Sequence, residues 1–222
     1  MLAASKDEPT PMAAPQPELS LDELDELLSG LTPEIPGYRV LRRIGRGGMS
    51  YVYLAVQESL NRQVAIKLIA PDALKDEVGK LRFEKEARTI AKLVHPCIVG
   101  IHEIGRTEHG LLYYVLPYLP RGHLRQRDLR NDEDAIVQVL RSLLSALDYA
   151  HAHGVVHRDV KAENVLFDGT DRPVLADFGI AVSRFDSSRV TSRGQAVGSS
   201  GYMAPEQARG ERVDGRADLY SI

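Results

Sequence analysis

The hydrophobic pattern of this 222-residue chain changes near residue 120, and that change restricts the fold more than any other feature. Before it, short runs rich in β-branched and aromatic residues predict strands at 38–44, 51–56, 63–69, 98–104 and 111–116. The turn residues between them are Gly45–Gly48, Asn61 and Gly110. Residues 80–94 place apolar side chains near helical spacing. The first half is therefore predicted to be an antiparallel sheet that carries one helix.

After residues 119–124 the pattern becomes helical. Asp132 or Asn131 can cap a helix that ends at Gly154. Its apolar stripe consists of Ile136, Val139, Leu140, Leu143, Leu144 and Leu147. A small β-rich half followed by a helical half predicts two lobes with a cleft between them, and ligands commonly bind in such clefts.

Residues 1–36 differ in composition from the rest of the chain. They hold six of the twelve prolines, eight acidic groups, one basic group and no aromatic residue. We therefore expect a disordered, Pro-rich acidic tail, because it offers little apolar surface to offset the entropy of ordering. Residues 19–31 can form a short helix with Ser20 as cap and leucines on one side. This segment is either a transient helix in a linker or a docking peptide for a groove on a partner.

Composition excludes several classes of function. Beyond residue 36 the chain has 27 basic and 23 acidic residues with no dense Lys/Arg run, which does not suggest nucleic-acid binding. A single cysteine, Cys97, excludes an intrachain disulfide. No apolar run approaches the roughly 18–20 residues of a membrane helix, and the N-terminus lacks a secretory pattern. We expect a soluble, cytoplasmic protein that binds neither nucleic acid nor membrane.

Residues 44–52, IGRGGMSYV, place glycines between two predicted strands. The segment is a poor dinucleotide-binding fingerprint because a strand follows it, and it lacks the Gly-Lys-Ser/Thr of a Walker loop. Two interpretations stay open. It is either a plain hairpin loop or a flexible turn whose backbone N–H groups lie over a phosphate chain.

Two further segments carry charge in apolar surroundings. In VAIK, residues 64–67, Lys67 follows three apolar positions and needs an anion if it is buried. Glu86 on the predicted helix can supply that anion, and Glu84, on a different face, is the competing choice; a solvated strand lysine is the alternative. The second segment is HRDVKAEN, residues 157–164, which stands between two apolar pairs. Either it is a surface loop with chance charges or its charges are functional.

These segments occur in a familiar order. GRGGMSYV, VAIK with a helix Glu, HRDVKAEN, DFG at 177–179 and APE at 204–206 resemble the eukaryotic-like (Hanks-type) protein kinases, in particular bacterial Ser/Thr kinases. The resemblance runs from about Tyr38 to the last residue. It implies an α+β, two-lobed kinase-like fold within residues 37–222. A β-rich N-lobe would span about 37–117 and a mainly helical, incomplete C-lobe about 118–222, since the family continues beyond Ile222.

The resemblance also implies a reaction, the transfer of a phosphoryl group from Mg²⁺-bound ATP to Ser/Thr hydroxyls of protein substrates. Asp159 would accept the hydroxyl proton, and Lys161 would steady the γ-phosphate. Lys67 and Glu86 would form the ion pair that joins sheet and helix. Asn164 and Asp177 would hold Mg²⁺, and Asp218 would brace the loop. Lys161 with Asn164 three residues on resembles the Ser/Thr-specific form of this loop.

A nucleotide pocket follows from the same resemblance. Leu166 would form its floor, Val52 and Ala65 its roof, and Leu116 its back, while the backbone of Leu119 would bind adenine. The full set of implied nucleotide-binding residues is Ile44, Gly45, Arg46, Gly47, Gly48, Met49, Ser50, Val52, Ala65, Lys67, Leu116, Leu119 and Leu166.

Regulation and departures from the family pattern complete the expectations. Arg158 is a ready partner for a phosphate on the segment between Asp177 and Glu206, with Thr191 the first choice of phosphorylated residue. The other hydroxyls of that segment are Ser183, Ser187, Ser188 and Ser192; a polar mobile loop is the alternative.

Ser50 replaces a glycine and Ser199 a threonine of the family pattern. Because the C-lobe is incomplete, Glu206 is expected to lack its arginine, and apolar residues of the helix at 134–150 to face solvent. An inactive nucleotide-binding or interaction module is therefore the alternative function.

Overall fold

The computed structural model describes residues 33–47, 50–69, 84–85, 87–178 and 201–222. Its N-terminal part contains an antiparallel sheet of order β1-β2-β3-β5-β4, which confirms the predicted architecture. The strands are β1 (Tyr38–Gly47), β2 (Ser50–Gln57), β3 (Arg62–Ile69), β4 (Glu103–Arg106) and β5 (Leu112–Pro117). Two of the predicted turn residues, Asn61 and Gly110, adopt the positive φ angles that tight turns require. The tail at 1–32, with the predicted helix at 19–31, lies outside the described residues.

Two details of the predicted sheet are wrong. The strand predicted at 98–104 is confined to β4, because the backbone before it pairs with the second half of the chain instead. There, the Val99 N–H donates to the Leu175 carbonyl at 2.9 Å, and the Leu175 N–H donates to the Cys97 carbonyl at 2.8 Å. In addition, β1 continues through Gly45 to Gly47, which pairs with Ser50, so the turn is shorter than predicted. Gly48 and Met49 themselves lie outside the described residues.

The register of the strands sorts their side chains onto two faces. Val52 stands opposite Lys67, Lys67 opposite Tyr114, and Ala65 opposite Leu116. Residues directly opposite each other in antiparallel strands point to the same side. These residues therefore share one face, which we call the inner face. The outer face carries a buried apolar and aromatic cluster that includes Tyr51, Tyr53, Val64, Ile66, Leu68, Tyr113 and Val115.

The helix predicted at 80–94 is present at residues 84–85 and 87–90, but residues 91–94 are not helical, so it ends four residues earlier than predicted. Ala87 is fully buried in a cluster with Ile69, Leu112 and Tyr114. Because Tyr114 belongs to the inner face, the helix packs on the same side of the sheet as Lys67. Residues 80–83 and Glu86 lie outside the described residues.

The second half is built on helix α1 (Glu133–Ala152). Asp132 is its cap, since its carboxylate accepts the Ala135 N–H at 2.9 Å, which decides between the two residues predicted. The helix ends two residues before Gly154, whose φ of +73° and N–H bond to the His151 carbonyl close the last turn. No helix among the described residues is long and apolar enough to cross a bilayer.

The two sides of α1 differ in burial. Val139, Leu143 and Leu147 are buried in a core that also contains Phe167, Leu175 and Phe178. Leu144, one of the three other residues of the predicted stripe, is 46% exposed, and Ile136 and Leu140 are exposed as well. Two short helices follow, α2 (Pro205–Ala208) and α3 (Arg216–Tyr220), and Leu219 and Tyr220 of α3 are also exposed. The expectation that apolar residues of α1 face solvent is confirmed.

The strand pair β6 (Val165–Phe167) and β7 (Pro173–Leu175) was not predicted from the sequence. The turn between them is organised by the carboxylate of Asp168, which accepts bonds from Thr170 and Arg172. Desolvation would raise the pKa of Asp168, but these bonds lower it to about 2. The carboxylate therefore remains charged and holds the hairpin closed over the neutral pH range.

Candidate active site

The β6–β7 hairpin brings two separate segments of sequence to one place. Val165 pairs with Leu175, so the residues just before β6 and just after β7 lie at the same end of the hairpin. The Ala176 N–H donates to the Asn164 carbonyl at 2.8 Å across this end. As a result, Asn164 and Asp177, both predicted as metal ligands, lie beside each other although 13 positions separate them.

The loop before β6, residues 157–164, folds back on itself around Asp159. The Lys161 Nζ atom lies 2.7 Å from Asp159 Oδ2. The Asn164 side-chain amide donates to the Asp159 carbonyl at 2.7 Å and to Asp159 Oδ2 at 3.0 Å. The predicted proton acceptor, the predicted phosphate-binding lysine and one predicted metal ligand therefore form a single hydrogen-bonded cluster.

Lys67 meets this cluster from the sheet above. Its Nζ atom lies 2.7 Å from Oδ1 of Asp177, whose side chain is 39% exposed. Desolvation would raise the pKa of the Asp177 carboxyl, but nearby positive charge, the Lys67 ammonium first, lowers that pKa overall. The predicted partner Glu86 lies outside the described residues. The competing choice, Glu84, is wrong, because its carboxylate pairs with Arg106 at 2.8 Å.

His157, to which the sequence analysis gave no role, joins the two segments from below. The Asp159 N–H donates to His157 Nδ1 at 3.2 Å, and His157 Nε2 donates to the Ala176 carbonyl at 2.9 Å. Because one ring nitrogen accepts a hydrogen bond and the other donates one, the imidazole is in its neutral form. Burial lowers the pKa of His157 and favours that neutral form, and the ring packs 4.5 Å from the Phe178 ring. In the sequence, His157 stands between an apolar run and an Arg-Asp pair, and this position is the one signal that could have revealed its role.

The backbone of Arg158 is held from two sides. The buried Asp218 carboxylate accepts the His157 N–H at 2.8 Å and the Arg158 N–H at 2.7 Å. The Gln207 side chain, another residue that sequence reasoning missed, donates to the Arg158 carbonyl at 2.8 Å. Arg158 has a φ of +66°, which a non-glycine residue keeps only where its surroundings impose it. These bonds therefore fix the direction in which Asp159 points.

The predicted nucleotide-binding residues divide into three groups. Leu116, Leu119 and Leu166 pack around one buried apolar cluster, formed by Val99, Val174 and Ala176. Val52 and Ala65 lie on the inner face, with Lys67, as the register shows.

The third group lies in the β1–β2 hairpin and consists of Ile44, Gly45, Arg46, Gly47 and Ser50. Gly45 stands opposite Val52 on the inner face. Arg46 stands opposite Tyr51, and its guanidinium lies 5.9 Å from the Tyr51 ring centre on the outer face. Only the backbone of Arg46 can therefore contribute to a site beneath the sheet.

The oxygen donors of the site suit Mg²⁺. Within the described residues no group of three or more His, Cys, Asp or Glu side chains could hold a metal ion. Mg²⁺, however, usually takes one or two protein oxygens and completes its shell with water and substrate phosphates. The Asn164 amide and the Asp177 carboxylate are such a pair. Since Asn164 uses its nitrogen on Asp159, its oxygen is the atom left for a metal.

The five hydroxyls considered for phosphorylation, Ser183, Ser187, Ser188, Thr191 and Ser192, lie outside the described residues, as do Gly179 and Ser199. Glu206, in α2, is described, and no ion pair joins it to another described residue.

The comparisons with known proteins agree with this geometry. The family model described as "Protein kinase domain" matches residues 38–222. The chain is 37% identical over 185 residues to the serine/threonine-protein kinase PknB of Mycobacterium leprae, covering 81% of this chain and 30% of PknB. It is 40% identical over 200 residues to the serine/threonine-protein kinase PknJ of Mycobacterium tuberculosis, covering 84% of this chain and 32% of PknJ. The chain thus spans about a third of the length of these curated relatives.

Solved structures give the same result. The crystal structure of the Mycobacterium tuberculosis PknI kinase domain superposes with a TM-score of 0.64 at 32% identity. The match covers 87% of this chain and 73% of that chain.

Fold and site together define a two-lobed protein with the architecture of a phosphotransferase. The chain belongs to the protein kinase family, among the bacterial Hanks-type Ser/Thr protein kinase domains.

Proposed function

We propose that this protein transfers the γ-phosphoryl group of Mg²⁺-bound ATP to serine or threonine hydroxyls of protein substrates. The observation that carries the proposal is the single hydrogen-bonded cluster of Asp159, Lys161 and Asn164. The bond between the Asn164 carbonyl and the Ala176 N–H joins this cluster to the Lys67–Asp177 pair. Phosphoryl transfer requires little covalent chemistry from the protein and depends on positioning and charge neutralisation. The cluster offers both.

Each side chain has a role that its surroundings support. Asp159 accepts the proton of the substrate hydroxyl, since its carboxylate is half-buried at the cleft and its orientation is fixed by Lys161 and Asn164. Lys161 adds positive charge beside the transferring phosphoryl group. Lys67 contacts the nucleotide phosphates from the inner face of the sheet. Asn164 and Asp177 hold Mg²⁺, which neutralises phosphate charge when it is bound.

Autophosphorylation is part of the proposal. The Nε atom of Arg158 is buried and has no hydrogen-bond partner among the described residues. A buried, unpaired guanidinium nitrogen is costly, and a phosphate is a strong acceptor for it. We therefore expect one hydroxyl between Asp177 and Glu206 to be phosphorylated, Thr191 first. Mass spectrometry after incubation with Mg²⁺ and ATP would detect it, and an unmodified segment in an active enzyme would contradict it.

The decisive experiment compares the wild type with Asp159→Asn, using γ-labelled ATP, Mg²⁺ and a generic basic protein. Loss of a general base lowers turnover by about 100-fold to 10,000-fold. The matched control is Asp128→Asn, which changes an exposed carboxylate whose partner among the described residues is Arg130. Equal labelling by wild type and Asp159→Asn would refute the proposal.

The second candidate function is an inactive nucleotide-binding or interaction module. The exposed apolar side chains of α1 and α3 favour it, because surfaces of this kind often mark contacts with another protein. ATP-dependent thermal stabilisation of the wild type without any phosphoryl transfer would support this candidate.

A further inference from the structure

We propose that Arg125, held in place by an ion pair with Glu163, is a specificity-determining residue that selects protein substrates with an aspartate or glutamate close to the phosphorylated hydroxyl. The inference rests on the proposed function and deepens it, since it names the kind of substrate segment that the site accepts. The sequence analysis gave neither of these two residues a role.

The ion pair joins the short helical turn that follows β5 to the loop 157–164. Arg125 lies in that turn, and its Nη1 atom donates to Oε1 of Glu163. Glu163 directly precedes Asn164, whose side-chain amide bonds to the Asp159 carboxylate at 3.0 Å. The pair therefore lies beside the point at which a substrate hydroxyl must arrive.

The pair lies on the side of the loop that the sheet does not cover. Lys67 meets the loop from the sheet, whereas the described groups whose charges act on the pair are Lys161 of the loop and Tyr202. The Arg125 side chain is 68% exposed, and Tyr202 is exposed as well. A substrate segment that brings its hydroxyl to Asp159 from this open side therefore passes Arg125.

Both members of the pair keep hydrogen-bonding capacity for a substrate. A guanidinium carries five N–H groups in one plane and can bind a carboxylate with two parallel bonds. Glu163 is the one partner of Arg125 among the described residues, so other N–H groups of Arg125 remain for a ligand. Oε2 of Glu163 is buried and has no hydrogen-bond partner among the described residues. A buried acceptor without a donor is costly, and a backbone N–H of a bound peptide would supply one.

The charge of the pair decides which substrate side chain it accepts. The bond from Arg125 lowers the pKa of Glu163, so this carboxylate stays ionised and the guanidinium already balances its charge. Arg125 is the more exposed of the two, since the Glu163 side chain is 31% exposed. A lysine or arginine of the substrate would therefore meet a like charge first. An aspartate or glutamate would meet N–H donors whose geometry matches a carboxylate.

The neighbouring arginines do not share this position. The three others between residues 121 and 130 pair with carboxylates outside the loop 157–164, namely Arg121 and Arg127 with Asp171, and Arg130 with Asp128. Arg125 is thus the arginine of this segment whose described partner stands next to the catalytic cluster. The selectivity is therefore assigned to one residue and not to the charge of the whole segment.

The reach of an extended peptide limits where the acidic residue can stand. Asp159 and Glu163 are joined through Asn164 by one hydrogen bond and one peptide unit, which gives a span of about 10 Å. An extended chain advances about 3.3 Å per residue, so it covers this span in about three residues. The acidic residue should therefore lie within about three positions of the phosphorylated serine or threonine.

The test uses the full chain and three peptides that each contain one threonine. Glu, Gln or Arg occupies the second and third positions on both sides of it. Arg125→Gln removes the charge, and Arg125→Lys keeps the charge without the paired N–H groups. The matched control is Arg130→Gln, which changes an exposed arginine of the same segment whose described partner is Asp128.

Three quantities are measured. The first is kcat/KM for each peptide with Mg²⁺ and ATP, and the second is KM for ATP. The third is binding, followed by fluorescence anisotropy of labelled peptides in which alanine replaces the threonine. This last readout does not depend on catalysis.

We expect the wild type to use the Glu peptide with a kcat/KM about five-fold to ten-fold above that of the Gln peptide, and the Arg peptide least. Arg125→Gln should bring the Glu and Gln peptides to within about two-fold, and Arg125→Lys should keep part of the preference. Arg130→Gln should behave as the wild type does. KM for ATP should be unchanged in every variant, which also shows that the variants fold.

Three results would overturn the inference. They are equal use of the Glu and Gln peptides by the wild type, preference for the Arg peptide, which would mean that Glu163 recognises the substrate, and a full preference for Glu in Arg125→Gln. A loss of preference in Arg130→Gln as large as in Arg125→Gln would also contradict it.

The binding readout separates this inference from the proposed function. If the wild type phosphorylates none of the peptides but binds the Glu peptide more tightly than the Gln peptide, and Arg125→Gln abolishes that difference, the proposed function fails. The role of Arg125 in selecting an acidic segment then stands. If phosphate is transferred to all three peptides without preference, the proposed function stands and the role of Arg125 fails.

Discussion

The lower and upper halves of the candidate active site are held in place by different physical means. In the lower half, Asp159 and Asn164 belong to a loop whose backbone is bonded by His157, Asp218 and Gln207. In the upper half, Lys67 stands on a strand, and its ion pair with Asp177 is its one described polar contact with the loop side.

This difference separates two tasks. The loop half combines chemistry with stability, because the functional side chains there also bond to one another and to the loop backbone. The sheet half presents apolar side chains and a single charge on an otherwise regular strand surface. Substitutions of these side chains should therefore have little effect on folding. Substitutions in the two halves should therefore differ in kind, and four measurements can test this.

The largest effect is expected in the core beneath the loop half. Leu147→Ala should lower the free energy of unfolding by about 2–5 kcal/mol, because Leu147 is 0% exposed and its loss leaves a cavity. Leu144→Ala, on the exposed side of the same helix, should change it by less than about 0.5 kcal/mol. Urea unfolding measures both. Equal losses of stability in the two variants would show that the buried side of α1 does not support the loop.

The second-largest effect is expected at the junction of the two halves, the ion pair of Lys67 and Asp177. Asp177→Asn removes a predicted Mg²⁺ ligand and the partner of Lys67, so phosphoryl transfer should fall about 100-fold or more. Asp171→Asn, which changes an exposed carboxylate in the β6–β7 turn, is the control. Labelled ATP provides the assay. Stabilisation of Asp177→Asn by Mg²⁺ and ATP as large as that of the wild type would argue against a metal-binding role.

The third prediction compares the loss of stability on substituting one residue from each half, and both losses should be smaller. Asn164→Ala removes two hydrogen bonds from a buried amide and should lower the free energy of unfolding by about 1–3 kcal/mol. Lys67→Met removes one partly exposed ion pair, which should cost less than about 1 kcal/mol. Both should abolish transfer. If Lys67→Met were the more destabilising, the distinction between the two halves would be wrong.

The smallest effect is a pH dependence of stability in the loop half. Burial lowers the pKa of His157 below its ordinary 6.5, so the unfolded chain gains a proton near pH 6.5 that the folded chain does not. Stability should therefore fall as the pH drops below about 6.5, by at most about 1.4 kcal/mol per pH unit.

Thermal unfolding between pH 8 and pH 5 measures this dependence, and His157→Asn should have the shallower one. His95 and His102, whose pKa values burial also lowers, would account for the slope that remains. A variant slope as steep as that of the wild type would show that His157 does not titrate as inferred.

Local pattern predicted most of the elements but not their long-range partners. The alternation of apolar residues located four of the five N-terminal strands to within a few residues, and the stripe and cap residues located α1. The run at 98–104 was mispredicted because its apolar residues are equally suited to pairing with Leu175 across the lobes. The β6–β7 pair was missed because three-residue strands have too little pattern to distinguish them from loops.

The candidate site, too, divides into residues that the sequence identified and residues that only the structure revealed. Motif resemblance named Asp159, Lys161, Asn164, Lys67 and Asp177, which the structure brings together, although their roles stay predictions. It gave no role to His157, His151 or Gln207. Their importance comes from what they bond to, and no spacing along the chain reveals that a histidine in α1 reaches a carboxylate 67 positions away.

The sequence by itself determined which residues can do chemistry and which segments become strand or helix, since residue type and local periodicity act over a few neighbours. Only the tertiary structure decided that Lys67 pairs with Asp177, that half of the α1 stripe faces solvent, and that three helices and a loop meet at Asp218 and Arg158. These choices depend on contacts between residues far apart in the chain, where shape and the need to satisfy buried polar groups select one partner among several that the sequence allows.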